Sequence, residues 1–448
     1  MSRHFAHPAA ALADVAHALL RAARQHGASD ASVMVSENEG LSVDLRQGRV
    51  RSRTRHASQS LALTLYIGQR RASAQSADFS ASGLAELAAA AAAIARSTGE
   101  DPHAGLADPA QLCQTPRALD LYQPWQIGLD EAIAIAHRIE AGVQGVDPAV
   151  QSNGVSVGSS HHQFVLATSA GFCQGYAQSS HSLSAVALAE RGASRQLDWC
   201  SDAARQASQL AEPAALGQRA AQAALALLDA RPLPSGNARV LFDPRSASAL
   251  VGHLVGAASG RALYTRSSFL CDTLGQACMA AHLSLWDDPF IPGAMGSAPF
   301  DSDGIEAQAQ ALVADGVLRS YLLASYSARR LGLRATGHGD GPHNLRLTSH
   351  RTAATDDQAA MLRRLGTGLW VTSVSGDGVN LSTGDYSRAA RGFWVQDGQI
   401  VHPVDQITLA GSLPQLYAGI EAVGADEQTH GHVRCGSVLV DALRIGGQ

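Results

Sequence analysis

Two successive runs of the chain share one order of elements, in which a helix precedes several strand-like segments and a second helix closes the run. The first run has an amphipathic helix over residues 9–26 and an alanine-rich helix over residues 81–96. Alternating polar and apolar residues predict the strands between them, with a hairpin turn at Gln47-Gly48, over residues 31–36, 41–46, 50–55, 60–67 and 71–77. Helices that bracket antiparallel strands predict an α+β fold rather than a doubly wound parallel sheet.

The second run repeats this plan and ends at a proline-rich boundary, residues 232–236. Helices over residues 128–142 and 213–230 bracket four predicted strands, at residues 155–157, 163–168, 171–179 and 184–191. The remaining sequence is mainly β, with hairpin turns at Asp315-Gly316 and Asp397-Gly398 and short helices over residues 326–331, 356–365 and 413–420. We therefore expect an N-terminal α/β region of two helix–antiparallel-sheet–helix blocks, residues 1–110 and 111–232, before a β-rich C-terminal domain, residues 233–448.

The composition excludes several classes of protein. With 46% hydrophobic and 16% charged residues the chain is typical of globular proteins, and its net charge of −5 argues against direct nucleic-acid binding. The absence of lysine excludes a lysine Schiff base, a Ser–Lys dyad and the lysine of a phosphate-binding loop. The six scattered cysteines indicate reduced thiols, and neither a signal segment nor a span of membrane length is evident, so we expect a cytoplasmic protein without a membrane partner.

Residues 240–253, VLFDPRSASALVGH, carry the strongest chemical signal in the chain. Three apolar residues form a short strand, and Asp243 is placed to cap the helix that follows. Pro244 suits the first turn of that helix, where its missing N–H costs nothing. A strand that leads through a short turn into a helix therefore presents Ser248 to His253 on the helix surface.

These six residues resemble the His-Glu-x-x-x-His motif of the TldD/PmbA metallopeptidase family, in which two His bind zinc and the Glu is the general base. Here Ser248 takes the position of the first His, Ala249 replaces the Glu, and His253 is kept. The resemblance continues in the family's order through most of the C-terminal half, in segments at residues 252–256, 266–270, 299–304, 325–329, 335–338, 384–388, 392–395 and 435–438.

The resemblance implies a degenerate zinc site. The family's third zinc ligand is a cysteine near the C-terminus, and Cys435 matches its position. Two His five residues apart point about 140° apart on a regular α-helix, so a shared metal needs a local distortion, for which Gly252 keeps the small residue. We expect no intact catalytic residue among Ser248, Ala249, His253 and Cys435, no cofactor bound to this chain, and zinc in a partner subunit.

This pattern matches the non-catalytic branch of the family, TldE. It implies a subunit that pairs with a TldD-like metalloprotease chain and acts on unfolded or short polypeptides, as in microcin maturation and antitoxin degradation. An extended substrate would bind as an added β-strand. Three alternatives stay open: a homodimer in the absence of the partner, a homodimeric peptidase with its own metal, and a modulator of DNA gyrase, which the negative charge does not support.

Other histidines offer further metal ligands. The segment His430-Gly431-His432-x-x-Cys435 places three donors within six residues, and His253 is a candidate fourth ligand. We favour a solvated loop at this segment instead. The adjacent pair His161-His162 is likewise expected in an exposed loop.

Two more segments suggest ligand binding. Asp301-Ser302-Asp303-Gly304 begins like a calcium loop, but the later acidic ligands are missing, so we predict a turn. The glycine-rich run at residues 336–343 is either a plain surface loop or the wall of a groove beside the former zinc site. In the second interpretation the candidates for contact with substrate are Thr336, Gly337, His338 and Asn344.

Overall fold

The structure is a computed structural model that describes residues 4–339 and 341–447. Its N-terminal elements are, in chain order, α1 (Ala9–Gln25), β1 (Asp30–Arg46), β2 (Arg49–Ile67), β3 (Arg70–Ser76), α2 (Ala81–Ser97), α3 (Leu129–Gln144), β4 (Val150–Thr168), β5 (Cys173–Arg191), β6 (Ser194–Ala204) and α4 (Pro213–Ala226). This order confirms the predicted α+β fold and both helix–antiparallel-sheet–helix blocks.

The two blocks share a single antiparallel sheet with the strand order β3-β2-β1-β4-β5-β6. β1 pairs with β4 along most of its length and so joins the blocks. Residues two apart on a strand point to the same face. Val33 of β1 packs under α1 and α2, and Val43 on the same face packs under α3 and α4. All four helices therefore cover one face of the sheet.

The strands are longer than the sequence predicts. The segments over residues 31–36 and 41–46 form one strand, β1, which continues through Gly40, and the strands β2, β4 and β5 each merge two predicted segments in the same way. A Cβ on Gly40 would lie 2.7 Å from the His56 ring and from the Ser159 carbonyl oxygen. This glycine therefore permits close packing and does not break the strand. β6 was missed.

The C-terminal elements are β7 (Gly236–Phe242), α5 (Pro244–Ala257), α6 (Gly260–Tyr264), β8 (Leu283–Asp287), β9 (Gln310–Ala314), β10 (Val317–Leu318), α7 (Ser325–Leu331), β11 (Leu345–Ser349), α8 (Gln358–Leu365), β12 (Gly368–Ser375), β13 (Val379–Asn380), β14 (Asp385–Gln396), β15 (Gln399–Ser412), α9 (Leu413–Ala418), β16 (Ile420–Val423), β17 (Gln428–His430), β18 (Val433–Cys435) and β19 (Val438–Gly446). The predicted β-rich character of this part is confirmed.

These strands form two sheets with helix α5 between them. In the first, β12-β7-β19-β15-β14 closes into a barrel because β12 also pairs with β14. The second has the order β10-β9-β8-β11-β18-β17, which leaves β17 at an edge. Helix α5 follows β7 and packs against both β12 and the β17–β18 hairpin. Residues of α5 thus sit where the barrel and the second sheet meet.

The predicted hairpin turns are confirmed by their backbone. Asp315-Gly316 and Asp397-Gly398 join β9 to β10 and β14 to β15, and all four residues have positive φ, as a tight hairpin requires. The six cysteines are free thiols. Within the residues that the structure describes, the helices are too short or too polar to cross a bilayer.

Candidate functional site

Helix α5 is capped as predicted, and its first turn is tied to the second block. The Asp243 carboxylate accepts a hydrogen bond from the backbone N–H of Ser246 at 2.7 Å, and burial raises the pKa of Asp243 to about 6. Arg245 Nη1 lies 3.1 Å from an oxygen of Asp198 in β6, and Arg391 of β14 contacts the other oxygen at 3.3 Å. One buried carboxylate thus joins α5, the barrel and the first sheet.

Positions 248 and 249, where the family motif has its first His and its Glu, carry serine and alanine. Ser248 Oγ donates a hydrogen bond to the Arg245 carbonyl oxygen at 2.7 Å, within the helix itself. Ala249 has a methyl group where the family motif has its carboxylate. These positions therefore supply neither an imidazole ligand nor a general base.

His253 lies on the same helix and faces the barrel. Its ring meets the ring of Tyr386 edge to face, with 6.1 Å between centroids. Burial, and to a smaller extent the Arg388 guanidinium, lowers the pKa of His253 to about 4. Its Nε2 is buried without a hydrogen-bond partner, as is the Tyr386 hydroxyl. The imidazole is therefore neutral at neutral pH, with one nitrogen unpartnered.

Cys435 ends β18 and is fully buried against the start of α5. Its Sγ donates a hydrogen bond to the Pro244 carbonyl oxygen at 3.4 Å. Burial, together with the charges of Asp243, Asp426 and Glu427, raises the pKa of this thiol to about 12. Zinc binds the thiolate, whereas this buried environment favours the thiol when no metal is present.

Helix α5 is regular through the former motif. It continues as α-helix from Pro244 to Ala257, so the distortion that a shared metal would need at Gly252 is absent. No heavy atom lies within 4 Å of the position that a Cβ on Gly252 would take. In this regular helix, side chains at positions 248 and 253 point about 140° apart.

The alternative ligands are dispersed. His430 lies in β17 and His432 in the turn of the β17–β18 hairpin, so the predicted solvated loop is a hairpin at the sheet edge. Burial, and to a smaller extent Arg245, lowers the pKa of His430. Over residues 4–339 and 341–447, none of His253, His430, His432 and Cys435 belongs to a group of three donors close enough to share an ion.

The prediction for His161-His162 was wrong. Both residues lie within β4, and His161 is 2% exposed rather than part of an exposed loop. Its ring stacks on that of His4 with 3.8 Å between centroids. Burial, and then the neighbouring His4 and His181, lowers the pKa of His161 to about 4.

The turn predicted at residues 301–304 is confirmed. One Asp301 oxygen accepts hydrogen bonds from the backbone N–H groups of Asp303 and Ile305 at 2.9 and 3.0 Å. Burial, with a smaller contribution from Asp303, raises the pKa of Asp301 to about 7. This carboxylate therefore organises the turn through the backbone.

The glycine-rich run is packed into the domain and is not a plain surface loop, although Asp340 lies outside the described residues. Gly337 and His338 are buried, and a Cβ on Gly337 would lie 2.3 Å from the Glu306 carbonyl oxygen. Thr336 Oγ1 accepts a hydrogen bond from the Leu323 N–H at 2.9 Å. Contact of these residues with substrate stays a prediction.

Asn344, the last groove candidate, makes hydrogen bonds with its own chain through its whole amide. Its Nδ2 donates to the Asp288 carbonyl oxygen at 2.7 Å and to Ser297 Oγ at 2.8 Å. Its Oδ1 accepts from the Gly296 N–H at 3.0 Å. These bonds fix the segment before β11, and they occupy the groups that a substrate would need.

A group of donors that the sequence did not reveal lies beside this run. Asp287, His338 and His343 place their donor atoms within 4.8 Å of one another. Asp287 ends β8 and His343 precedes β11, which pairs with β8. Burial alone would raise the pKa of Asp287, but His338, His343 and a backbone N–H lower it to about 2. Only His338 was a candidate, because the strand pairing that unites the group leaves no local spacing pattern.

A cleft of about 620 Å³ opens beside the start of α5, between the first sheet and the barrel. Trp199, Trp370 and Phe393 supply aromatic walls, while Arg245 and His430 supply polar groups. His430 belongs to β17, the edge strand of the second sheet. A mainly apolar cleft with a few polar groups beside a free strand edge suits an extended peptide.

Three family models together match most of the chain. The PmbA/TldA metallopeptidase C-terminal domain matches residues 235–447, the central domain of that family matches residues 122–228, and its domain 1 matches residues 31–95. The model of the C-terminal domain covers helix α5, Cys435 and the Asp287 group.

Individual proteins agree with these models. The Metalloprotease PmbA of Escherichia coli O157:H7 is 39% identical over 424 residues, which is 94% of this chain and 93% of that protein. A structure from Bacteroides thetaiotaomicron, whose name refers to modulation of a DNA gyrase, has a TM-score of 0.91 at 24% identity over 97% of this chain and 98% of that one. TldE from Thermococcus kodakarensis has a TM-score of 0.85 at 16% identity, over 97% and 100%. These two likenesses concern the fold alone.

Proposed function

Because this chain belongs to the PmbA/TldD metallopeptidase family, we propose that it is the non-catalytic subunit of a two-chain zinc peptidase. A TldD-like chain supplies the zinc site and the general base. The present chain completes the space that holds an extended polypeptide. Both chains work in the cytoplasm, an assignment that the six free thiols support.

The chemical state of the former motif carries this proposal. A catalytic zinc needs three protein ligands, an open position for water and a base beside it. The Ser248 hydroxyl is hydrogen-bonded within the helix, position 249 has no carboxylate, and burial raises the pKa of the Cys435 thiol to about 12. His253 and Cys435 keep two of the three ligand positions. Two ligands without a base support no hydrolysis by this chain.

The cleft beside α5 supports a role in holding polypeptide. Main-chain hydrogen bonds to a free strand edge give affinity with little preference for sequence, which suits unfolded substrates. Strand β17 offers such an edge, and Trp199 and Trp370 offer apolar surface for side chains next to it.

The rival functions have weaker support. A homodimeric peptidase on His253, His430, His432 and Cys435 needs donors that the described chain does not gather into a group of three. A modulator of DNA gyrase that contacts DNA needs a basic surface, whereas the net charge is −5.

Reconstitution with the TldD-like chain from the same genome tests the proposal. The present chain alone should leave an unfolded peptide intact, and the pair should cleave it in a chelator-sensitive way. His253→Ala in this chain should leave the activity of the pair within a few-fold, because the residue touches no chemistry. A loss of about a thousandfold, typical of an essential catalytic group, would contradict the proposal. The matched control removes the first motif His of the partner, which should abolish cleavage.

A rebuilt motif tests the alignment of α5 with the family site. The double change Ser248→His, Ala249→Glu restores three ligands together with His253 and Cys435. We expect the variant to take up zinc beyond the content of the parent chain, with the open space beside Gly252 allowing the helix to distort. Adding Cys435→Ala should remove that extra zinc. A folded double mutant with unchanged zinc at micromolar metal would contradict this alignment.

A further inference from the structure

Asp287, the last residue of strand β8, is a buried carboxylate, and no arginine among the described residues forms an ion pair with it. Asp287 is 0% exposed, and both of its oxygens accept a hydrogen bond from the backbone N–H of His343 at 3.0 Å. Among the described residues its ion-pair partners within 4 Å are the imidazoles of His338 and His343. A carboxylate removed from water needs a compensating positive charge. The cluster must therefore hold a proton on one imidazole or a metal cation.

The hydrogen bonds of His338 favour a metal. Its Nδ1 lies 2.6 Å from the Thr336 carbonyl oxygen, so this nitrogen carries the hydrogen and donates. In the neutral form of the ring Nε2 offers a lone pair, and this atom lies 3.2 Å from Asp287 Oδ2. The Gln310 amide nitrogen is a further neighbour of the ring, 3.4 Å from Nε2 and 3.5 Å from Nδ1, and an ion at Nε2 would replace its contact with that atom. Metal-binding imidazoles typically donate their other N–H to a carbonyl in this way.

The second imidazole is placed to complete the site. His343 is 6% exposed, and its Nδ1 is buried without a hydrogen-bond partner. This nitrogen lies 3.7 Å from Asp287 Oδ2. In tetrahedral zinc sites with bonds of roughly 2.1 Å, neighbouring ligand atoms are about 3.4 Å apart. The two separations at Asp287, 3.2 and 3.7 Å, fall on either side of that value.

We propose that Asp287 Oδ2, His338 Nε2 and His343 Nδ1 together bind one Zn²⁺ ion. Two imidazoles and a carboxylate are suitable ligands for zinc, and the ion would neutralise the buried carboxylate. This site is separate from the former motif on α5, and it departs from the sequence-based expectation of a chain without a cofactor.

The burial of all three ligands indicates a structural ion. Such a zinc would link the end of β8 to the run at residues 336–343 and hold that run against the second sheet. Since a metal that binds the folded chain adds its binding free energy to folding, loss of zinc should lower the melting temperature. The proposal does not rest on the peptidase function of the two-chain enzyme.

Zinc uptake by the full chain tests the proposal. The purified chain is stripped with a chelator, using mild denaturant and refolding if needed, and then titrated with zinc or cobalt. Plasma mass spectrometry should find about one ion per chain, with a raised melting temperature. Asp287→Asn and His343→Ala should lose the ion. Cobalt should give the visible bands of a four-coordinate ion without the charge-transfer band of a thiolate ligand.

Two controls locate the ion. His282 is 3% exposed and lies directly before β8, but both of its nitrogens are bonded, to Ser349 Oγ and the Ile420 carbonyl oxygen at 2.8 Å each. His282→Gln and Cys435→Ala should therefore keep the zinc. Failure of the refolded parent chain to bind zinc at micromolar metal would overturn the proposal and assign a proton to the cluster. Loss of the ion in Cys435→Ala would overturn it too, and the cobalt spectrum decides the case if Asp287→Asn does not fold.

Discussion

Gly337 provides a quantitative test of how tightly the glycine-rich run is packed. Gly332, five residues earlier, has a nearly equal backbone, with φ of +67° against +74°. Alanine at either position adopts the left-handed region at a cost of about 1 kcal/mol. No heavy atom lies within 4 Å of a Cβ at Gly332, so Gly332→Ala should cost no more than this.

The neighbour of Gly337 makes the difference. A Cβ there would lie 2.3 Å from the Glu306 carbonyl oxygen, about 1 Å inside ordinary contact, so backbone must move. Overpacking of this kind adds roughly 1–3 kcal/mol, which brings Gly337→Ala to about 3 kcal/mol. At roughly 2–4 °C per kcal/mol, calorimetry should find a loss of about 3 °C for Gly332→Ala and about 9 °C for Gly337→Ala. Equal losses would refute the packing of Gly337 against Glu306.

Two further predictions concern buried charge. Asp198→Ala leaves Arg245 and Arg391 facing each other without their carboxylate, so urea unfolding should show a loss of about 3 kcal/mol, whereas Glu100→Ala at the exposed ion pair with Arg70 should cost under about 1 kcal/mol. Because the pKa of His253 is lowered from 6.5 to about 4, the unfolded chain binds more protons between these values, and stability falls as the pH drops from 6.5 towards 4. His253→Gln should flatten the unfolding free energy over this range, and an unchanged pH profile would contradict the burial of the imidazole.

The order and type of the elements could be predicted from the sequence because the signals are local. Helix caps, the Asp-Gly turns and the alternation of apolar residues each involve neighbours along the chain. The length of the strands could not be predicted from the sequence, because Gly40 marks a close approach of His56 and Ser159 from other strands. The sequence offers no means to distinguish such a glycine from one that ends a strand.

The former zinc site and the buried donor group differ in the same respect. Ser248, Ala249 and His253 lie within six residues, so a local pattern predicted their loss of function. Asp287 and His343 are brought together by the pairing of β8 with β11, and His343 differs from an ordinary loop histidine only in its tertiary contacts. The prediction of an exposed loop at His161 was wrong for a related reason, since its neighbours His4 and His181 come from distant segments of the chain.

If this chain is the non-catalytic subunit that we propose, charge explains why its site on α5 needs no metal, whereas the Asp287 cluster is not balanced in the same way. At the former site the imidazole of His253 and the thiol of Cys435 are both neutral, and alanine replaces the one residue of the motif that would bring a buried negative charge. A buried glutamate at position 249 without zinc would be destabilising, so the alanine at this position fits the proposed site without an ion. Asp287 keeps its charge in full burial, and no comparable replacement has removed the need for a cation beside it.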